Sequence, residues 1–598
     1  MLDDAGSDLA IPTLLQDGQV YILDVAIRGV RIGLTKDNGD QPTVQVSVES
    51  SATTVWVALT DESWGRDGAH LQSVIVPARF DSFVLPATGD SVGSASIQFL
   101  PQFSTFYERG GSEIRLGIRL YHKLDLVDHL SLVVSRVEGR DQISVQWDAR
   151  EPAAKGGIGV LNPDAKPRRV NLSVSRDASA ADRYRLAVVL AGDTDGRPHV
   201  CANRSLPKSL LDSFAAEFRQ LLVDVAFGAA LSSLQLPRDE RDRFLKKVSL
   251  LGTRMAVALF DGLAAQGDIF AVGEMLRGGI TEASAIQIAL SGDAKDLVLP
   301  WQILTIADDT DPDGPVNARN LWGFRYLLEV RRCDDGHRVA RRYGAQGATL
   351  AYARWHFQNE AEHFARIQEI ARASTSPVSL LEPIINNRNE LLDSFQRGAD
   401  LYYVYAHGHA AAPRTPDGLV FRDAVRSQIL AAKQRLATGV GSELQQKAAG
   451  VLDMYLAATS DSAESFLTLR DSEVSLSSMI VARSTDGKPI RFRNGPIVFL
   501  NTCQSAQVWN ALESSFVGFF LGRGASAVVG TEATIPVLVS EFMGRTILQD
   551  LMLGKTLGES VLRARSDLLE LNNPLGLCYT VYGLADARLL EPLSEEGA

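Results

Sequence analysis

Asn494-Gly495-Pro496-Ile497-Val498-Phe499-Leu500-Asn501-Thr502-Cys503-Gln504-Ser505-Ala506 is the stretch whose reading decides the fold. Its Asn-Gly-Pro turn signal launches an unbroken apolar run, the pattern of a central parallel strand buried on both faces. The run ends on a cysteine among small and polar residues. In open α/β sheets reactive groups collect just beyond the carboxyl ends of strands, so Cys503 stands where a nucleophile is wanted. Asp400-Leu401-Tyr402-Tyr403-Val404-Tyr405-Ala406-His407-Gly408-His409 repeats the design, an apolar strand that ends on His-Gly. If the two strands are neighbours, His407 and Cys503 face each other across the edge of the sheet.

Around these two strands the pattern alternates strand with helix, the signature of a mostly parallel sheet. Strands are expected at Ala285 to Leu290, Ala348 to Ala353, Leu401 to Tyr405, Ala525 to Gly530 and Leu577 to Tyr582. Helices are expected at Glu360 to Ala371, Glu390 to Arg397, Phe516 to Leu521 and Val537 to Leu553, and from Thr556, where Glu559 completes a capping box. A helical insertion, about 426–457, separates the two site strands. Toward the N-terminus the period changes. Ser209 to Leu234 and Glu240 to Leu263 have helical spacing, as in Phe214, Phe218, Leu221 and Leu222. From Val20 to Leu190 short alternating segments such as Val44-Gln45-Val46-Ser47-Val48 are punctuated by Gly, Asp and Pro, which implies an all-β, sandwich-like region. The organisation expected is a β-rich region over 1–195, a helical bridge over 196–283, and an α/β domain over 284–598.

The 598 residues, 45% hydrophobic, exceed one ordinary core. With 60 basic against 72 acidic residues the net charge is −12, so overall charge does not point to a nucleic-acid partner. The acidic start Met1-Leu2-Asp3-Asp4 lacks the basic and apolar regions of a secretory signal, and no apolar run approaches a membrane span. Cys201, Cys333, Cys503 and Cys578 are scattered without paired spacing, which argues against a disulfide framework or zinc finger and fits a reducing cytoplasm.

Several motifs together resemble the CHAT domain, a branch of the caspase-like cysteine peptidases that includes separase, clostripain and gingipain relatives. They are Leu299-Pro300-Trp301-Gln302-Ile303-Leu304, Ala406-His407-Gly408, Gly418-Leu419-Val420-Phe421, Leu500 to Ala506, Phe519 to Gly530, and Asn573-Pro574-Leu575 through Tyr582-Gly583. The resemblance spans roughly the last half of the chain. Gln302 departs from the family's usual Glu, and the insertion at 426–457 is another departure. The resemblance implies a caspase-like fold and a regulated bacterial effector acting in signalling or antiviral defence. It implies endopeptidase chemistry on a protein substrate through a thioester, without a cofactor. The rival reading is a catalytically silent scaffold or interaction module.

The chemistry asks for these residue types. A thiolate is the nucleophile, and an imidazole takes its proton and later protonates the leaving amine. His409 competes with His407 for the role of base; the family's His-Gly pair selects His407. The resemblance also assigns the backbone N–H groups of Gly408 and Cys503 to an oxyanion hole, and places Asp417 and Glu532 at a specificity pocket favouring Lys or Arg. A metal site of His407, His409 and Cys503 lacks an obvious fourth ligand, so no metal is expected. Gly554-Lys555-Thr556 ends like a phosphate loop, but Gln549 stands where that motif needs Gly, so it reads as a turn between helices. Ser526 lacks the second glycine of a nucleophile elbow. A regulatory protein or signal is expected to act through the N-terminal region.

Overall fold

In a computed structural model the described residues run from 13 to 590 with interruptions, the longest being 26–45, 148–157, 262–275, 306–315, 333–346, 410–425, 435–464 and 506–514. The chain divides into two compact units: 1–209, 257–294 and 331–339 form the first, and 210–256, 295–330 and 340–598 the second.

Among the described residues of 1–207, the first unit contains strands and one short helix, Phe103–Glu108. An antiparallel sheet runs in the spatial order Thr13–Gln16, Gln142–Trp147, Asp125–Arg136, Gly111–His122, Thr53–Asp61, Phe80–Leu85. Half-buried strands alternate here: in Ala95–Pro101, residues Ala95, Ile97 and Phe99 face the core while Ser96 and Gln98 are exposed. Phe99, Phe103, Phe106 and Ile118 belong to one apolar cluster. Arg168–Arg176, Arg183–Ala191 and Pro198–Pro207 form an antiparallel meander. Ala285–Leu290 pairs parallel to the first of these three strands. The strand Pro198–Pro207 carries β structure past the boundary expected at residue 195.

The second unit begins with two helices, α1 (Lys208–Ala226, within the unit from Leu210) and α2 (Arg238–Ala256). They cluster with the α/β part of the chain. Seven strands follow in one sheet: β1 (Leu327–Arg332), β2 (Ala348–Arg354), β3 (Val378–Leu380), β4 (Leu401–Tyr405), β8 (Ile497–Asn501), β9 (Ala527–Thr531) and β10 (Tyr579–Gly583). Their spatial order is β1-β10-β9-β8-β4-β2-β3, with every adjacent pair parallel except β9 and β10. The numbers between are taken by a separate small sheet of β5 (His407–His409), β6 (Phe466–Thr468) and β7 (Glu473–Ser475), paired antiparallel. Helices from residue 360 onward include α3 (Glu360–Arg372), α4 (Arg388–Arg397), α5 (Leu476–Ile480), α6 (Phe516–Gly522), α7 (Val537–Met552) and α8 (Leu557–Glu570).

Sequence dictates these elements locally. All five residues of β4 and of β8 are buried, as central parallel strands require. Burying Ile497, Val498, Phe499 and Leu500 gains roughly 1.5–3 kcal/mol apiece. Thr556 and Glu559 cap α8 reciprocally. Asn387 caps the start of α4 and Gly398, at φ 80°, its end. Two expectations need correction. Leu577 and Cys578 belong to a 3₁₀ turn, Pro574–Cys578, and the strand starts at Tyr579. Pro574 sits at the start of that turn, and the Asn573 side chain accepts the Leu575 N–H, so the chain coils before it extends. The strand before His407 stops at Tyr405, and His407 belongs to the small sheet.

Candidate active site

The pairing register of β4 with β8 builds the site. Tyr405 stands opposite Asn501, the last paired positions of two adjacent parallel strands. His407 and Cys503 each lie two residues further on, at the same carboxyl edge. Beyond that register the two chain segments touch. A Cβ on Gly408 would stand 2.4 Å from the Cys503 carbonyl oxygen and 2.9 Å from Thr502 Oγ1. Only glycine admits this approach, so Gly408 fixes the spacing of the two strand ends.

Buried hydrogen bonds hold the turn that carries Cys503. Thr531 Oγ1 of β9 donates to the Thr502 carbonyl at 2.5 Å. Ser505 Oγ donates to the Leu500 carbonyl at 3.2 Å and accepts the Thr531 N–H at 3.0 Å. Cys503 is 7% exposed, and its thiol donates to the Ile535 carbonyl at 3.6 Å, just ahead of α7.

His407 and His409 are separated by one residue on a strand and so share a face, with Gly408 turned the other way. Trp355 packs near His407 with ring centroids 6.3 Å apart, and Phe466 packs on His409 at 5.0 Å. Burial lowers His407 to about 4, with the neighbouring His409 adding to the shift, and burial alone lowers His409 to about 4. Both imidazoles are therefore neutral near pH 7, the form that accepts a proton. Among the described residues no group of three or more His, Cys, Asp or Glu side chains is placed to hold a metal ion.

Glu532 is a buried structural acid. It accepts the Tyr582 hydroxyl at 2.5 Å and pairs with Arg219 of α1 at 3.5 Å. Burial raises its carboxyl, and Arg219 pulls it back down. Asp417 and most of the segment 426–457 lie outside the described residues, and the residues between 426 and 434 that are described are helical. Gln302 is buried and donates to the Leu577 carbonyl at 3.1 Å, a supporting bond within the fold.

Sequence reasoning missed the polar network under the site. Asn501 Nδ2 donates to Tyr403 Oη and to the Ser540 carbonyl, both at 2.7 Å, and its Oδ1 accepts the Tyr579 hydroxyl at 2.7 Å. Tyr403 Oη lies 2.8 Å from His363 Nε2. Burial, with Arg545 adding, lowers His363 to about 4, so its ring is neutral near pH 7. The only sequence signal was a polar tip inside an otherwise apolar strand.

No family model and no curated protein sequence matches the chain. Among solved structures, one crystal structure of the Saccharomyces cerevisiae separase–securin complex is similar at 10% identity and TM-score 0.37, covering 69% of this chain and 30% of that one. A second crystal structure of that complex gives 11% identity and TM-score 0.34, again covering 69% and 30%. The Arg-specific cysteine proteinase gingipain R gives 9% identity and TM-score 0.30, covering 63% and 76%. The chain thus spans about a third of the separase chain it matches. At TM-scores below 0.5 these likenesses are too loose to define a site, which rests on its own geometry.

Proposed function

We propose that the second unit is a caspase-like cysteine endopeptidase of CHAT type, with Cys503 as nucleophile and His407 as general base and acid. The observation that carries this reading is the register Tyr405–Asn501 together with the Gly408–Cys503 approach, which set a thiol and a neutral imidazole beyond the ends of adjacent strands. His407 takes the thiol proton as sulfur attacks the scissile carbonyl. The N–H groups of Gly408 and Cys503 receive the oxyanion. The C–N bond breaks as His407 returns the proton to the leaving amine, and water then hydrolyses the thioester. Asp417 favours Lys or Arg before the cleaved bond; Glu532 is committed to Arg219 and Tyr582 and contributes less.

The thiol resting on the Ile535 carbonyl, nearly buried, suits a latent enzyme whose N-terminal region or 426–457 segment controls the site. It also suits the rival reading, a silent scaffold. Labelling Cys503 with iodoacetamide or an acyloxymethyl ketone, alongside turnover of a peptide library, separates the two. Selective labelling and cleavage after basic residues support the enzyme. No labelling, with or without replacement of 426–457 by a Gly/Ser linker, sinks it. Labelling and turnover that are already full in the intact chain and unchanged by that replacement overturn the latency.

A further inference from the structure

Away from Cys503, α3 and α7 line a half-open cavity of about 260 Å³. Glu362, His363 and Arg366 line it from α3, and Glu541 and Arg545 from α7. Each helix thus presents a Glu followed four residues later by Arg, an arrangement that ordinarily closes on itself along the helix. Here neither does. Arg366 turns to Glu369 at 2.8 Å in an exposed pair, which is easily exchanged. Arg545 forms no ion pair among the described residues, although it is close enough to Glu541 to pull that carboxyl down. One oxygen of Glu541, Oε1, accepts the Asn359 amide and, at 3.1 Å, the Tyr405 hydroxyl. Its second oxygen accepts no hydrogen bond among the described residues and is left to the cavity. Leu234, Leu538 and Phe542 add an apolar wall.

We propose that this cavity binds a small zwitterion of the α-amino-acid type with an apolar side chain, and that its occupancy alters the reactivity of Cys503. The ammonium sits on Glu541 and Glu362, the carboxylate on Arg545 and Arg366, and the side chain on Leu538 and Phe542. A simple anion would meet two carboxylates and a simple cation two guanidinium groups; only a dipolar ligand satisfies both sets. The link to the site is short. Tyr405 holds Glu541 from the residue two before His407, and His363 holds Tyr403, which holds Asn501 two before Cys503. The Cys503 thiol rests on Ile535, six residues before Glu541. Burial raises Glu541 to about 7, and an ammonium favours its ionised form, so affinity rises as pH climbs through 7. The other groups facing it are Glu362, His363 and Arg366 of α3, Arg545 of α7 and Tyr405 of β4.

The test is calorimetry on the full chain with leucine, isoleucine, methionine and phenylalanine, and with leucinamide, 4-methylpentanoate and inorganic phosphate as probes that each lack one of the two charges. At least one of the amino acids binds. Losing either ligand charge, or introducing Glu541→Gln or Arg545→Gln, weakens binding about 10- to 100-fold, the value of one charge-assisted hydrogen bond. No amino-acid binding, equal binding of 4-methylpentanoate or phosphate, or binding that survives both substitutions overturns the site. The analogues test it on the native chain, whatever the variants do to folding. The saturating amino acid also changes the rate of Cys503 alkylation by about fivefold or more; an unchanged rate overturns the coupling. The coupling half gains its meaning from the proposed catalytic role, but binding is measured without it and persists in Cys503→Ala, so the two readings fail separately.

Discussion

Cys503 and Cys578 lie in the same unit, neither is in a disulfide, and both are buried, yet their surroundings differ. Cys578 closes a 3₁₀ turn with no exposed surface, and burial, then Glu532 and Cys503, drive its thiol far up. Cys503 lies past the end of β8, where the backbone of Gly408 meets its carbonyl and a neutral His407 follows the end of the neighbouring strand β4. Burial alone does not tell a reactive thiol from an inert one. On the proposed reading, position relative to the strand ends does.

The largest contrast is in turnover. Cys503→Ala and His407→Ala should each lower peptide hydrolysis by about 10⁴-fold or more, and the double variant should add little, because nucleophile and base act as a unit. Cys578→Ala should leave turnover intact and lower stability by about 1 kcal/mol, read from urea midpoints. Equal losses from both cysteines would erase the distinction. Next comes alkylation. Iodoacetamide should modify Cys503 about a hundredfold faster than Cys578, as judged by peptide mass analysis. Comparable rates would mean that global opening, rather than the site, exposes both.

The backbone approach gives a third test. Gly408→Ala puts a methyl group 2.4 Å from a backbone oxygen that no rotamer can move. One strand end must shift, and a displacement of about 1 Å costs turnover about a hundredfold. Stability should fall much less than for a core cavity, because the clash lies at the edge of the sheet. Wild-type kcat/KM in Gly408→Ala would show that the two segments separate freely.

Much of this unit was legible in the sequence, for identifiable reasons. β4 and β8 read correctly because strands buried on both faces are continuous apolar runs. The end of α7 and the start of α8 read correctly because Gly554, at φ 77°, and the Thr556–Glu559 box are local signals. The small sheet of β5, β6 and β7 was not legible, since three-residue strands show no period and β5 finds its partner nearly sixty residues along the chain. Glu532 read as an acid of the specificity pocket because its partner Arg219 is more than three hundred residues away. Asn501 shows the same limit. Its polarity inside an apolar strand was visible, but the bonds that satisfy it come from Tyr403, Ser540 and Tyr579, which only folding assembles.

The finest contrast is between the two histidines of β5. Both lie on one face of the strand, and burial lowers both to about 4. Their neighbours differ: His407 precedes the glycine that touches Cys503, whereas His409 packs on Phe466. His409→Gln should therefore cost less than about tenfold in kcat/KM, far below the loss at a base. Its clearer signature is in the pH profile. Protonating His407 is opposed first by burial and second by His409. Removing the second opposition lets His407 bind its proton more readily, so its pKa rises. The neutral base is then lost at a higher pH as the solution is acidified, and the acid limb of kcat/KM moves upward by a fraction of a unit. A dead His409→Gln beside an active His407→Ala would exchange the roles of the two residues. An acid limb that moves downward would show that the two imidazoles do not interact as like charges across Gly408.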